Sequence, residues 1–346
     1  MRQGNNPIKG SAPAPETARH RVIIPVYIPS TDGYFARLPE ILELCLESLH
    51  LSVAGRAAVT VISNGCMSPV VERLQAMCRA GWIDQLVLNR ENVGKLNAII
   101  PAARASFEEL ITFADADVFF DAGWLEAVET VFAAFPECGS VSPVPRQEHV
   151  WKHTSATIVG ALTKGVLRFA PQLNEEDIAL LLRVFGAWHH DFWETQMVVT
   201  RKNSRAIVGA GHFTVTLRRD MLRLMPQAPH GSIFAAGAEE AWIDAPPDRH
   251  GYWKLATPHV YAHHMGNVPE PWITERLAAL RQLAGTSRPP RPGVLPRPRP
   301  SMIPAWIRDA LVALLCWKQL YRLLFRPLGF RPTNDREFAK YRARSP

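Results

Sequence analysis

Short apolar runs alternate with helically patterned stretches from His20 to about Arg146. Arg21–Val26 (RVIIPV) reads as a buried strand. The stretch from Pro39 to Leu51 predicts a helix with Pro39 in its first turn and Ile41, Leu42, Cys45, Leu46 and Leu49 on one stripe. Ala58–Ser63 predicts a second strand, Pro69–Arg79 a second helix, Gln85–Leu88 a third strand, Lys95–Ala105 a third helix and Glu109–Ala114 a fourth strand. Asp121 is placed to N-cap a helix running through Phe135, and Ser140–Ser142 begins a fifth strand. Regular strand–helix alternation of this kind gives an α/β fold with a mostly parallel sheet and helices on both faces.

After Arg146 the rhythm weakens. Glu148–Trp188 reads as mainly helical, His189–Arg219 as strand, Gly237–Asp244 as the opening of a helix, and Tyr252–His264 as strand again. This half is expected to complete the sheet and to wall its carboxyl edge. Residues 285–304 contain seven prolines and four arginines, which predicts an extended, semi-rigid linker. Ala305–Phe325 then predicts one helix. At about 100° per residue, Arg308, Gln319, Arg322 and Arg326 share a polar face, and Trp306, Ala313, Leu314, Trp317, Leu320, Tyr321 and Leu324 cover the opposite one. Its unbroken apolar run, Ala310–Trp317, is far short of the ~20 residues that span a bilayer.

Composition sharpens this division. With 47% hydrophobic residues the 346-residue chain can bury a large core. Its five cysteines form no C-x-x-C pair, which argues against a disulfide framework or a zinc site and fits a reducing, cytoplasmic setting. The first nineteen residues, polar and rich in Pro and Ala, read as a disordered tail, and carry neither a signal peptide nor a membrane span. The net charge of +7 is uneven: residues 286–346 hold 13 Lys/Arg against 3 Asp/Glu, an excess of +10, leaving the remainder at −3. A nucleic-acid partner is therefore not expected. A basic tail beside a Trp-containing amphipathic helix suits an anionic membrane surface instead. The expected organisation is a tail (1–19), a first α/β half (20–146), a second half that completes the sheet (147–284), the linker (285–304) and a basic membrane-associating segment (305–346).

The candidate chemistry lies at the strand ends. Asp115-Ala116-Asp117 follows the fourth buried strand, so both carboxylates fall at the carboxyl edge of the sheet, where open α/β sheets bind ligands. Two carboxylates there can hold a hard divalent cation, which in turn holds a diphosphate. Pro25-Val26-Tyr27 ends the first strand, Ser63-Asn64-Gly65 the second, and Asn92-Val93-Gly94-Lys95-Leu96-Asn97 follows the third. Further on come Gly209-Ala210-Gly211-His212-Phe213 with Arg218-Arg219, then Gly237-Ala238-Glu239-Glu240, then His263-His264. His189-His190-Asp191, near Trp188, Phe192 and Trp193, is a further polar cluster that reads as an exposed loop.

Taken in order, these segments resemble family 2 glycosyltransferases of the GT-A fold over roughly His20 to Gly266. Pro25-Val26-Tyr27 is similar to that family's first-strand P-x-Y turn, Asn92-x-Gly94 with Asn97 to its N-x-G-x-x-x-N segment, Asp115-Ala116-Asp117 to its D-x-D, Glu239-Glu240 to its acidic catalytic pair, and His263-His264 to its late metal-site histidine. The resemblance implies an inverting transfer of a sugar from a nucleotide-diphosphate donor to a saccharide or lipid-linked hydroxyl, with 20–146 as the nucleotide-sugar-binding half and 147–284 as the acceptor-side half. Pro25, Val26, Tyr27, Asn64, Asn92, Gly94, Lys95, Asn97, Asp115 and Ala116 would line the donor. Asp117, with Asp115 and one of His263 and His264, would hold Mn²⁺ or Mg²⁺. Glu240, or Glu239, would serve as base. Two positions depart from the pattern: Asn64 stands where the family usually has Asp, and Glu240 where it usually has Asp in a Glu-Asp pair. No Q-x-x-R-W motif is present, which points to single-sugar addition. A sugar-phosphate nucleotidylyltransferase lacks support because no Gly-rich loop follows the first strand, and a non-catalytic scaffold would not need the acidic and histidine set.

Overall fold

The computed structural model describes residues 18–146, 149–171, 179, 195–211, 213–233, 237–283, 293–316 and 323–324. Strands β1 (His20–Val26), β2 (Ala57–Asn64), β3 (Gln85–Asn89) and β4 (Leu110–Ala114) are joined by helices α1 (Leu38–Val53), α2 (Ser68–Arg79) and α3 (Lys95–Arg104). They lie in the order β3-β2-β1-β4, all parallel. The strands form because their residues are apolar on both faces: Val22, Ile23, Ile24, Val61, Ile62, Leu110 and Ile111 are all buried. Helix α1 buries Ile41, Leu42, Cys45, Leu46, Leu49 and Val53, the stripe its periodicity predicts.

The sheet continues through the second half of the chain and turns mixed. Strand β10 (Thr214–Arg218) runs antiparallel between β4 and β6 (Cys138–Ser142). Strand β11 (Trp253–Ala256) is parallel to β6, and β9 (Ser204–Val208), β8 (Thr195–Arg201) and β7 (Leu167–Pro171) complete a ten-stranded sheet as antiparallel neighbours. Helices α4 (Trp124–Ala134), α5 (Ser155–Thr163), α6 (Ala245–Arg249) and α7 (Pro271–Leu283) pack around it. A separate two-stranded ribbon pairs β5 (Val118–Phe120) with β12 (Ala262–His264), setting His264 opposite Val118 and His263 opposite Phe119.

Several expectations are corrected. Asp121 does not cap α4: Gly123 (φ +84) precedes the helix, and the Asp121 carboxylate is drawn to His263 and Arg276 instead. The stretch after Glu148 forms the short α5 and then β7 before leaving the described residues. Residues 293–304 are extended, as the prolines dictate, and they are strapped to the body. Arg218 donates to Pro296 O (3.0 Å), Arg299 N to Pro136 O (2.9 Å) and Ser301 N to Gly251 O (2.8 Å). The strap therefore crosses the edge of the sheet where β6 and β11 begin, opposite the edge that carries Asp115. Helix α8 (Ala305–Leu315) follows it. Arg308, expected on an outward polar face, is buried: its guanidinium donates to Ile303 O (2.6 Å), Asp248 O (2.5 Å) and Arg249 O (3.0 Å). The last carbonyls of α6 have no partner within their own helix, so a cation is drawn onto them. Residues 317–322 of the predicted long helix, the basic tail from 325, the first seventeen residues and the start of the linker lie outside the described residues. No described helix is long and apolar enough to cross a membrane.

Candidate active site

At the end of β4 the chain must leave the sheet, and the ribbon β5–β12 catches it. Asp115 N donates to Phe213 O at the start of β10 (2.9 Å), and Met265 N donates to Asp117 O (2.7 Å). These bonds fix the backbone on either side of Ala116, so the two carboxylates diverge. Asp115 turns to Lys95, which heads α3, and the same ammonium reaches Glu239 Oε2 at 2.8 Å. Lys95 thus joins a strand end of the first half to the acidic pair of the second. Burial opposes its charge, but Asp115 and Glu239 more than offset that and hold its pKa above the usual lysine range.

Asp117 faces the other way, its Oδ2 lying 3.3 Å from His264 Nε2. Because residues alternate along β12, His263 points to the opposite side. There it donates to Asp121 Oδ2 (2.6 Å) and meets Trp272 edge-on at 5.9 Å. Of the two candidate histidines, only His264 lies on the side of Asp117. Asp117 Oδ1 is buried with no hydrogen-bond partner among the described residues. Burial raises the Asp117 pKa, His264 pulls it back and Asp115 raises it further. A desolvated oxygen without a donor, beside an imidazole nitrogen, fits a divalent cation. Among the described residues no three His, Cys, Asp or Glu side chains form a closed cage. Among the described residues Asp117 and His264 are placed to supply protein ligands, with further positions open to donor oxygens and water.

The asparagines are spent on the loop that carries Lys95. Asn64 is buried. Its Oδ1 accepts from Asn89 Nδ2 (3.0 Å) and Val93 N (3.2 Å), and its Nδ2 donates to Asn92 Oδ1 (2.8 Å), which also takes Gly94 N (2.9 Å). Two backbone N–H groups therefore fix both amide orientations. Gly65 (φ +87) makes this closeness possible, since a Cβ there would meet Asn92 N at 2.8 Å. Gly94 (φ +86) passes under Ile233 in the same manner. Asn97 accepts from His230 N (2.7 Å) and donates to His230 O (3.0 Å), pinning the segment that leads towards Gly237 and Glu239. Asn64, Asn92 and Asn97 thus face other parts of the chain rather than open space. Pro25 and Val26 lie within β1, and Tyr27 stands partly exposed at its end, edge-on to Phe35 at 6.0 Å.

Glu240 opens a single π-helical turn, Glu240–Asp244, and its Oε1 lies 3.3 Å from Lys152 Nζ. Behind it Asp244 and Lys254 form a buried pair (2.7 Å). His153 stands nearby in the left-handed region (φ +53), a conformation that costs a non-glycine residue about 1 kcal/mol. Burial lowers its pKa, and Asp244 and Glu240 act against that. Sequence reasoning missed Lys152 and His153, which lie in a stretch without clear periodicity. Their spacing from Glu240 exists only in the fold. Gln147 and Glu148, His189, His190, Asp191 and their aromatic neighbours, and His212, lie outside the described residues.

No protein-family model and no curated protein matches the chain. Among solved structures it is similar to S. aureus TarS 1-349 (TM-score 0.44, 11% identity, 93% of this chain and 77% of that one). It is also similar to the mannosyltransferase PcManGT from Pyrobaculum calidifontis in complex with GDP-Man and Mn²⁺ (TM-score 0.42, 15% identity, 91% and 85%). A structure of S. aureus TarS 1-349 in complex with UDP-GlcNAc gives a TM-score of 0.42 at 11% identity. At these values the likeness carries no residue assignment to this chain.

Proposed function

We propose that this chain is an inverting, metal-dependent glycosyltransferase of the GT-A type. The observation that carries the reading is the divergence of Asp115 and Asp117 at the carboxyl edge of the sheet. One is tied through Lys95 to Glu239, and the other faces His264 with a buried oxygen lacking a donor. Such a site suits a substrate with one strongly anionic part and one reacting carbon, as in a nucleotide-diphosphate sugar. Mn²⁺ or Mg²⁺, held by Asp117 and His264, would act as a Lewis acid for the departing diphosphate. Lys95, kept protonated by its two carboxylates, adds fixed positive charge beside that leaving group. Glu240 takes the proton of the acceptor hydroxyl as its oxygen bonds to the anomeric carbon and the bond to the diphosphate oxygen breaks. Attack opposite the leaving group inverts the centre. The Lys152 ammonium, 3.3 Å from Glu240 Oε1, holds that carboxylate in place.

The acceptor in this reading is a saccharide, lipid-linked or otherwise presented at a membrane, and the basic excess of residues 286–346 brings the enzyme to an anionic surface. The test is transfer from nucleotide sugars to saccharide acceptors with wild type and Glu240→Gln. Loss of about 10²–10⁴-fold in kcat, with donor affinity unchanged, is expected for a missing base. An unchanged kcat overturns the assignment of Glu240, and failure to bind any nucleotide returns the chain to the non-catalytic scaffold reading.

A further inference from the structure

The strap and α8 expose an unusual density of apolar side chains. Val294 and Met302 are each 92% exposed and Trp306 is 73% exposed, and Leu311 and Leu314 are exposed further along the helix. Arg297 and Arg299 stand exposed between Val294 and Met302, and Asp309 is the one acidic residue within 293–316. The helix is two-faced. Arg308, Val312 and Leu315, spaced at three and four residues, turn inward, and Arg308 and Val312 are buried. Trp306, Ala310, Ala313 and Leu314 lie about 180° away and are exposed. Among the described residues nothing covers the tryptophan and leucine on the outer face of this helix.

We propose that Val294, Met302, Trp306 and Leu314, flanked by Arg297 and Arg299, form a body-anchored wedge that inserts into an anionic bilayer. This rests on the reading that an anionic membrane is a partner, and it names the surface that meets it. The alternative occupant, a second copy of the chain, is disfavoured by charge. A two-fold interface sets each patch against itself and would bring Arg297, Arg299 and the +10 excess of residues 286–346 against their own copies. An anionic leaflet complements both features: apolar side chains enter the acyl boundary, and each cation near the surface raises partition about fivefold. Because Arg308 bonds to Asp248 O and Arg249 O, the wedge is fixed to the end of α6, whose chain begins at the Glu240 turn. Docking therefore sets the orientation of the body at the bilayer, which a loose basic tail alone would leave free.

The test is sedimentation of the full chain with phosphatidylcholine vesicles, with and without phosphatidylglycerol. The proteins are wild type, a Met302→Glu/Trp306→Glu double variant, and a variant with Arg322, Arg326, Arg331 and Arg336 changed to Gln. Both altered apolar positions are exposed, so the melting temperature should be unchanged. Wild type should bind anionic vesicles only, and the double variant should bind them roughly tenfold more weakly or worse. A double variant that sediments like wild type overturns the wedge, and if the tail variant is released in the same experiment the membrane reading survives without it. If wild type binds no vesicle, or forms a dimer that the double variant dissolves, the surface has another use and both readings fall. Nucleotide binding, measured in parallel, keeps the glycosyltransferase reading separate from either result.

Discussion

Asn64 shows how one side chain can change what a site presents. Its oxygen is occupied by Asn89 and Val93, and its amide group donates to Asn92. An Asp in its place would set a carboxylate oxygen against Asn92 Oδ1, which the Gly94 N–H already fixes as an acceptor. Asn64→Asp should therefore destabilise the fold by about 1–3 kcal/mol, read by urea denaturation. Unchanged stability would mean that the amide lattice is not holding the loop of Lys95. The amide at this position is thus matched by its partners, Asn89 and Asn92. His263 and His264 teach the same lesson. They are adjacent and chemically identical, yet a strand separates them into one that braces Asp121 and one that faces Asp117.

At the scale of elements, the strap across the sheet depends on Arg218. Its guanidinium donates to Cys138 O (2.9 Å), Phe132 O (3.0 Å) and Pro296 O (3.0 Å), joining β6, α4 and the strap. Arg218→Met leaves these carbonyls without their donor and should cost about 3 kcal/mol. It should also expose Arg297 and Arg299 to trypsin sooner, and cleavage at the wild-type rate would contradict the strap. The sequence made the first half of the fold legible because strands buried on both faces are unbroken apolar runs and their helices carry a single stripe. It misplaced the start of α4 because Asp121 reads equally as a cap or an ion-pair partner, and the His263 that claims it lies far along the chain. Helix α7 was not recognised, since only Ile273, Leu277 and Leu280 are buried along it. The candidate carboxylates and histidines were legible as residues. The Lys95 bridge, Lys152 and the burial of Arg308 were not, because each depends on a contact between distant segments.

For the whole molecule, acid stability follows from buried groups in the sheet. His20 is fully buried against Thr112 Oγ1 (2.5 Å) and Trp124, with Glu129 Oε1 4.0 Å from its Nδ1. Burial lowers its pKa from 6.5 to about 3. Between those values the unfolded chain takes up a proton that the folded chain refuses. Stability therefore falls as pH drops from 6.5, by about 1.4 kcal/mol per pH unit for this group. His153, also lowered by burial, acts in the same direction. Glu108 and Glu137, held below 4.5 by Arg21 and Arg201 against the cost of burial, lose their contribution only at lower pH. Asp117 and Asp248, raised above the ordinary carboxylate value by burial, act in the opposite sense, so the slope of unfolding free energy between pH 4.5 and 6.5 is compared between variants. It should be shallower in His20→Phe than in wild type, and equal slopes would contradict a neutral buried His20.

The central claim is that Asp117 and its surroundings hold a cation and a nucleoside diphosphate together. The most direct measurement is a thermal-shift panel of UDP, GDP, CDP and ADP, each with and without Mn²⁺, on wild type and Asp117→Ala. Bound ligand at a hundredfold its Kd stabilises by about 2.7 kcal/mol, which such a panel resolves. The account predicts that one nucleotide raises the melting temperature only when Mn²⁺ is present and that Asp117→Ala abolishes the shift. A nucleotide shift that survives in Asp117→Ala, or that needs no metal, would contradict it.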